Sequence, residues 1–131
     1  MKKVILFLCL PVILLGCASL TVSQVNSRNR ENLTKLYVNL PRSNVLAIMG
    51  SSPVTLDYTD VTGKLKKQVT IANPYRTEIL QISDRKLEVV SYVIDIKEDG
   101  TVNEDGLMPI VFENDKIIGW GKEFLQSMKK Q

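Results

Sequence analysis

The sequence predicts an α+β fold: a helical hairpin packed on a three- to four-stranded antiparallel meander, closed by a short C-terminal helix. Three observations carry this reading. Leu33, Leu36, Tyr37 and Leu40 recur at the i, i+3, i+4, i+7 spacing of one helix face. Residues 87–96 place Val90, Tyr92, Ile94 and Ile96 on one strand face and Leu87, Val89 and Val93 on the other, the two-sided apolar pattern of a central strand. Asn114-Asp115 divides two apolar runs, and both residues tolerate positive φ, which marks a two-residue hairpin.

In chain order, the first element is a targeting segment rather than part of the fold. Met1-Lys2-Lys3 is a short positive start, and Val4 to Leu15 is an unbroken apolar run of twelve residues. As a helix the run spans roughly 18 Å, short of a bilayer core of about 30 Å, and Pro11 interrupts it. A positive start, a short apolar core and a small residue before the cut describe a secretory signal over residues 1–16. Leu14-Leu15-Gly16-Cys17 resembles the lipobox of bacterial lipoproteins, with Leu15 where a smaller or β-branched residue is commoner. The resemblance implies a diacylglyceryl group on the Cys17 thiol, cleavage just before it and acylation of the new amine. Several acyl chains, at about 0.8 kcal/mol per buried CH₂, hold a protein firmly on a membrane. Ala18, which is not aspartate, resembles the sorting residue of outer-membrane lipoproteins in enteric-type bacteria, so the expected location is the periplasmic face of the outer membrane. Cys9 reads as a small apolar residue of the signal.

Residues 17–27, the lipidated cysteine followed by a polar stretch of Ser, Thr, Asn and Gln, are expected to form a flexible tether, with a reach of about 15–20 Å for ten residues. Residues 28–131 are then one α+β domain. Its first helix is expected over Asn29–Leu40. The second starts with Pro41 as a first helical residue, has an apolar stripe of Val45, Ile48 and Met49, and ends at Gly50 in a left-handed conformation before Pro53. Val54-Thr-Leu starts a strand, and Asp60–Lys67 is a solvated loop turning at Gly63. Arg76–Ile82 and Leu87–Ile96 are strands joined at Asp84-Arg85. Met108–Glu113 and Lys116–Trp120 make the last hairpin, with Glu113 opposite Lys116 and Val111 opposite Ile118. Phe124, Leu125 and Met128 form a terminal helix packing back on the sheet.

Composition narrows the functions. Hydrophobic residues make up 44% and charged residues 24%, the balance of a folded globular protein. Net charge is +3, but without Lys2 and Lys3 fifteen basic residues face fourteen acidic ones, which gives no electrostatic case for nucleic acid. Histidine is absent and the two cysteines, Cys9 and Cys17, are both N-terminal, so the usual Cys/His zinc sites lack their ligands. The body has no histidine or cysteine to act as base or nucleophile, and no carboxylate spacing singles out a pair. No enzyme, metal or cofactor is expected.

Four constellations remain. A calcium loop starting at Asp95 would put Lys97 and Gly106 where ligands are required, so Asp95–Asp105 reads as a solvated loop turning at Gly100 and Gly106. Lys64, Lys66 and Lys67 would suit anionic headgroups, or an edge strand kept soluble. Gly119-Trp120-Gly121 reads as a packed tryptophan rather than a binding aromatic. Tyr75, Arg76 and Glu78 read as a structural hydrogen-bond network beside a proline turn.

Leu40-Pro-Arg-Ser-Asn-Val-Leu-Ala-Ile-Met-Gly50, followed by Pro53, resembles the helix segment of the BamE/SmpA/OmlA group of small outer-membrane lipoproteins. Asn73-Pro-Tyr-Arg-Thr-Glu78, Pro109-Ile-Val-Phe112 and Lys116-Ile-Ile-Gly-Trp-Gly121 look more like a related lipoprotein family of unknown function. Together these matches span most of residues 33–125. Leu40-Pro41 stands where the BamE group has Met-Thr, so the side-chain cap is lost and a preset φ gained. The resemblance implies two helices before a three-stranded antiparallel sheet, and a non-enzymatic interaction module with an envelope protein partner, serving outer-membrane assembly or maintenance. An inhibitor or ligand-binding lipoprotein using its sheet face is the alternative.

Overall fold

The computed structural model describes residues 19–64 and 66–131. The expected signal segment and Cys17 lie outside the described residues. Among the described residues the architecture is α+β, with three α-helices and two sheets in which antiparallel pairs dominate. The elements are β1 (Leu20–Thr21), α1 (Val22–Leu33), α2 (Arg42–Met49), β2 (Val54–Thr59), β3 (Lys66–Ile71), β4 (Arg76–Ile82), β5 (Arg85–Val93), β6 (Leu107–Glu113), β7 (Lys116–Trp120) and α3 (Lys122–Lys129). One sheet has the order β1-β2-β3, with β1 parallel to β2, and the other is the meander β4-β5-β6-β7.

The first correction concerns the tether. Residues 20–21 form β1 and helix α1 starts at Val22, so ordered structure begins well before residue 28. A capping box starts the helix: the Thr21 hydroxyl accepts from the Gln24 N–H at 3.2 Å, and the Gln24 side chain accepts from the Thr21 N–H at 2.9 Å. The helix binds the body partly through polar groups, which hydropathy patterning overlooks. Asn26 donates to the Ile96 carbonyl and accepts from its N–H, and buried Asn29 donates to the Val93 carbonyl at 2.6 Å.

The expected helix over 29–40 is also displaced, because α1 ends at Leu33. Leu36 and Leu40 are buried, but they reach the core from a turn segment in which Asn39 has φ 71°, and Tyr37 faces solvent. That segment runs along β7: the Asn39 N–H donates to the Ile117 carbonyl at 2.8 Å and the Ile117 N–H to Leu40 at 3.0 Å. These sheet bonds replace the intrahelical ones that the i, i+3, i+4 spacing predicts. Pro41 is the residue before the helix, with extended ψ of 144°, and Arg42 is the first helical residue. Gly50 closes α2 at φ 94° and ψ 159°, positive φ but not the left-handed helical conformation. A Cβ there would stand 2.7 Å from the Asn73 amide, whose nitrogen donates to the Met49 carbonyl.

Strand β5 lies between β4 and β6 and buries Leu87, Val89, Val90, Tyr92 and Val93, as its two-sided pattern predicts. It ends at Val93 rather than Ile96; beyond it, Ile94 and Asp95 N–H groups bond the Gly106 carbonyl and Ile96 bridges to Val102. The β4–β5 turn is Ser83-Asp84, with Ser83 at φ 53°, one residue ahead of the expected Asp84-Arg85. The Asn114-Asp115 turn has φ of 51° and 61°, and Glu113 pairs with Lys116. Val111, however, lies opposite Gly119, because a bulge shifts the register after Phe112–Ile117 and leaves Ile118 unpaired. The expected loop 60–67 is shorter: β3 starts at Lys66, opposite Thr59.

The helices do not share one face of the meander. Leu36, Leu40, Val45 and Met49 of the α2 region cluster with Val90, Tyr92, Ile110, Phe112 and Ile117. Met128 of α3, flanked by Phe124 and Leu125, clusters with Leu87, Val89 and Val111, residues that alternate with the first set. Val25 of α1 joins Leu56 and Ile71 of the small sheet to Val93, Ile96 and Leu107. The sheet is therefore covered on both faces, and the expected two-layer arrangement gains a third layer.

Candidate functional site

The lipidation site expected at Cys17 lies outside the described residues, and Ser19 is the first residue whose surroundings are defined. Its hydroxyl donates to the Asp57 carboxylate, which also accepts from Gln68 at 2.9 Å. These two hydrogen bonds hold the Asp57 carboxyl below the usual carboxylate range. β1 is thereby latched onto β2 by a side-chain contact as well as by backbone pairing.

Two clefts flank this latch. A groove of about 650 Å³ opens between the start of β1, the α1 face bearing Arg28 and Asn32, and the loop joining α2 to β2, including Ser52. Its lining contains no carboxylate, and among the described residues Arg28 forms no ion pair or side-chain hydrogen bond. The second cleft, of about 780 Å³, lies beside Thr21, Val22 and the β2–β3 loop, and is lined by Asp57, Asp60, Asp95, Glu98 and Arg30. The two clefts thus differ in the charge they present.

The acidic stretch is tied to protein donors. Asp95 takes Lys97 Nζ at 2.6 Å and Arg30 at 3.5 Å, and the Lys97 bond lowers its pKa. Asp99 accepts from the backbone and hydroxyl of Thr101. Gly106 is required by close packing: a Cβ would sit 2.3 Å from the Asp95 carbonyl oxygen. Among the described residues no group of three metal-ligating side chains converges.

Arg76 organises a surface network. It forks onto Glu104 at 2.8 and 3.0 Å, and its Nε lies 3.3 Å from Glu78. The bidentate bond raises the Arg76 pKa and lowers that of Glu104. Lys122, at the start of α3, meets Asp105 at 3.0 Å. Tyr75 stands beside this network and is partly exposed. Trp120 packs against the core cluster beneath α2, and Gly119 leaves room for the Phe124 ring, 2.5 Å from where a Cβ would be. Lys64, Lys66 and Lys67 are exposed on the β2–β3 hairpin, where β3 is an edge strand. Val61, at the tip of that hairpin, is 96% exposed.

Two polar contacts that hold the fold leave no local mark in the sequence. Tyr92 is buried in the meander, and its hydroxyl donates to the Gly50 carbonyl at 2.9 Å. Burial pushes its phenol up to about 12. The α2 N-terminus has no side-chain cap, but Arg42 behind Pro41 forks onto Glu88 of β5. Neither bond has a local sequence signature, because each partner is more than forty positions away.

No curated protein and no solved structure matches the chain. Residues 18–127 match the family described as "Protein of unknown function (DUF3192)", and with most of its length covered the chain belongs to that family.

Proposed function

We propose that this protein is a lipoprotein held by acyl chains on Cys17 at the periplasmic face of the outer membrane. Its work there is non-enzymatic: it is an interaction module in outer-membrane assembly or maintenance. The observation that carries this reading is Leu14-Leu15-Gly16-Cys17 at the end of a short apolar run behind two lysines. No described helix is long and apolar enough to cross a membrane. The BamE-like reading of the fold belongs to the proposal: a helical pair precedes an antiparallel meander, and α2 with Leu36 and Leu40 covers one face of that sheet. The lack of histidine, and of cysteine after Cys17, supports a role without catalysis.

An inhibitor or ligand-binding role through the sheet face is the second reading. Ile79, 56% exposed on β4, favours it. The coverage of both meander faces by α2 and α3 leaves little sheet surface for it.

Intact mass of the membrane-extracted protein tests the anchor. It should show a mature chain starting at an acylated Cys17, and Cys17→Ser should abolish lipidation. A mature chain that starts elsewhere and carries no lipid overturns the proposal. In-cell crosslinking from helix and sheet positions tests the role. Capture of barrel-assembly components supports it, and capture of one secreted enzyme favours the inhibitor reading. Substrate turnover that is lost on changing one carboxylate, without unfolding, overturns both.

A further inference from the structure

The chain leaves the fold in a defined direction. β1 runs parallel to β2, with Leu20 opposite Leu56 and Thr21 opposite Asp57. Followed back from Thr21 to Ser19, the chain therefore runs toward the Val54 end of β2 and away from the hairpin at its other end. Cys17 is three positions before Leu20, so whatever its conformation it lies within about 11 Å of it. β2 extends from Val54 to Thr59, about 17 Å for its six residues, and the β2–β3 loop lies beyond. The arginine-bearing groove is at the end where the chain exits, and Ser19 forms part of its wall.

Resting on the lipid-anchor reading, we propose that this groove end faces the bilayer surface carrying the Cys17 acyl chains, with Arg28 meeting headgroup phosphates and the β2–β3 hairpin pointing away. Two independent observations support the orientation. The first is the short leash: Cys17 is two positions from Ser19 on the groove wall, so within about 8 Å of it, whereas Val61 lies five positions beyond Leu56, so the anchor favours the groove end while the Ser19–Asp57 latch holds. The second is charge. Phospholipid headgroups all carry phosphate, and the groove lining offers a half-buried guanidinium and no carboxylate. The opposite cleft is lined by four carboxylates and one arginine, and even with Lys97 paired to Asp95 it is net negative, which disfavours phosphate. Lys64, Lys66 and Lys67 on the hairpin are the competing membrane contact, and the direction of β1 places them at the far end. In this orientation Val61 and the acidic cleft face the periplasm, free for a protein partner.

The test uses the full lipidated protein in phosphatidylcholine vesicles doped with a nickel-chelating lipid, whose headgroup relaxes nearby spins. Single nitroxide labels are placed at Ser52→Cys, on the groove rim, and at Val61→Cys, on the hairpin tip. The mature chain has no other free thiol when Cys17 is lipidated. Strong relaxation at 52 with none at 61 is the expected result. Relaxation that is greater at 61, or equal at the two sites, overturns the orientation. In undoped vesicles, carbon–phosphorus dipolar dephasing at the Arg28 Cζ is expected, and its absence from an acylated chain overturns the headgroup contact. An unacylated Cys17, seen by mass before any vesicle is made, instead removes the anchor reading on which the orientation depends.

Discussion

The two main strands of the small sheet, six residues each, are within the length range of the meander strands, yet the two sheets stand in opposite relation to solvent. β5 and β6 are buried along almost their whole length, with side chains packed above and below. β2 and β3 bury Leu56 and Ile71 and expose most of the rest. The meander is the core of the fold, whereas the small sheet is a half-wet layer held by one hydrophobic face, helix α1 and the Ser19–Asp57 latch. Such unequal burial divides a molecule into units that open at different free energies.

The largest effects should separate the two regions. Phe112→Ala removes a fully buried ring from the meander and should cost about 3–5 kcal/mol, read as a global loss of stability in denaturant. Leu56→Ala, at an equally buried site in the small sheet, should cost about 2–5 kcal/mol. The informative result is where hydrogen exchange accelerates. Leu56→Ala should expose amides of β1–β3 while β4–β7 stay protected; uniform acceleration of both sheets would show one cooperative unit and end the contrast.

Thr21→Ala should be smaller, about 0.5–2 kcal/mol, because it deletes half of a capping box at the first turn of α1. Its effect belongs to the small-sheet side, so exchange should quicken in residues 22–25 and not in β5. The smallest effect is at the meander rim, where Arg85 meets Glu113 at 2.6 Å and lowers its pKa. A carboxylate with a depressed folded pKa contributes stability that is present above its ordinary value of 4.5 and is lost as pH falls through the folded value. The stability gap between wild type and Glu113→Gln should therefore be steady at neutral pH and shrink below about pH 4.5. A gap that widens on acidification would show that the pair does not act through Glu113 ionisation.

The same contrast explains what the sequence disclosed. The meander strands were legible because burial on both faces demands apolar runs, and the Asn114-Asp115 turn because few residues accept its positive φ. The Val111–Ile118 pairing failed because a bulge moves register without leaving a mark in hydropathy. Lys66 and Lys67 of β3 read as loop because they are charged residues of an edge strand, without the apolar alternation that marks a half-buried one. Residues 22–27 of α1 read as tether because Val25 is their one deeply buried apolar side chain and Asn26 binds the body through polar bonds, although the Thr21–Gln24 capping pair was a signal available in the sequence. Of the candidate site, Cys17 is proposed from its local context alone. The groove is not, since residues 19, 28, 52 and 73 are brought together only by the fold.

The segment that lies along β7 also limits how copies could join through the meander. Asn39 and Arg42 donate to Ile117 and Asp115, and Leu40 accepts from Ile117, so that rim of the sheet is already occupied by the chain itself. On the opposite rim, no described strand pairs with the outer side of β4. A sheet with one vacant rim can pair once and then has none left. Pairing of β4 with β4 therefore has a stoichiometry of two and uses up the vacant rim of both meanders.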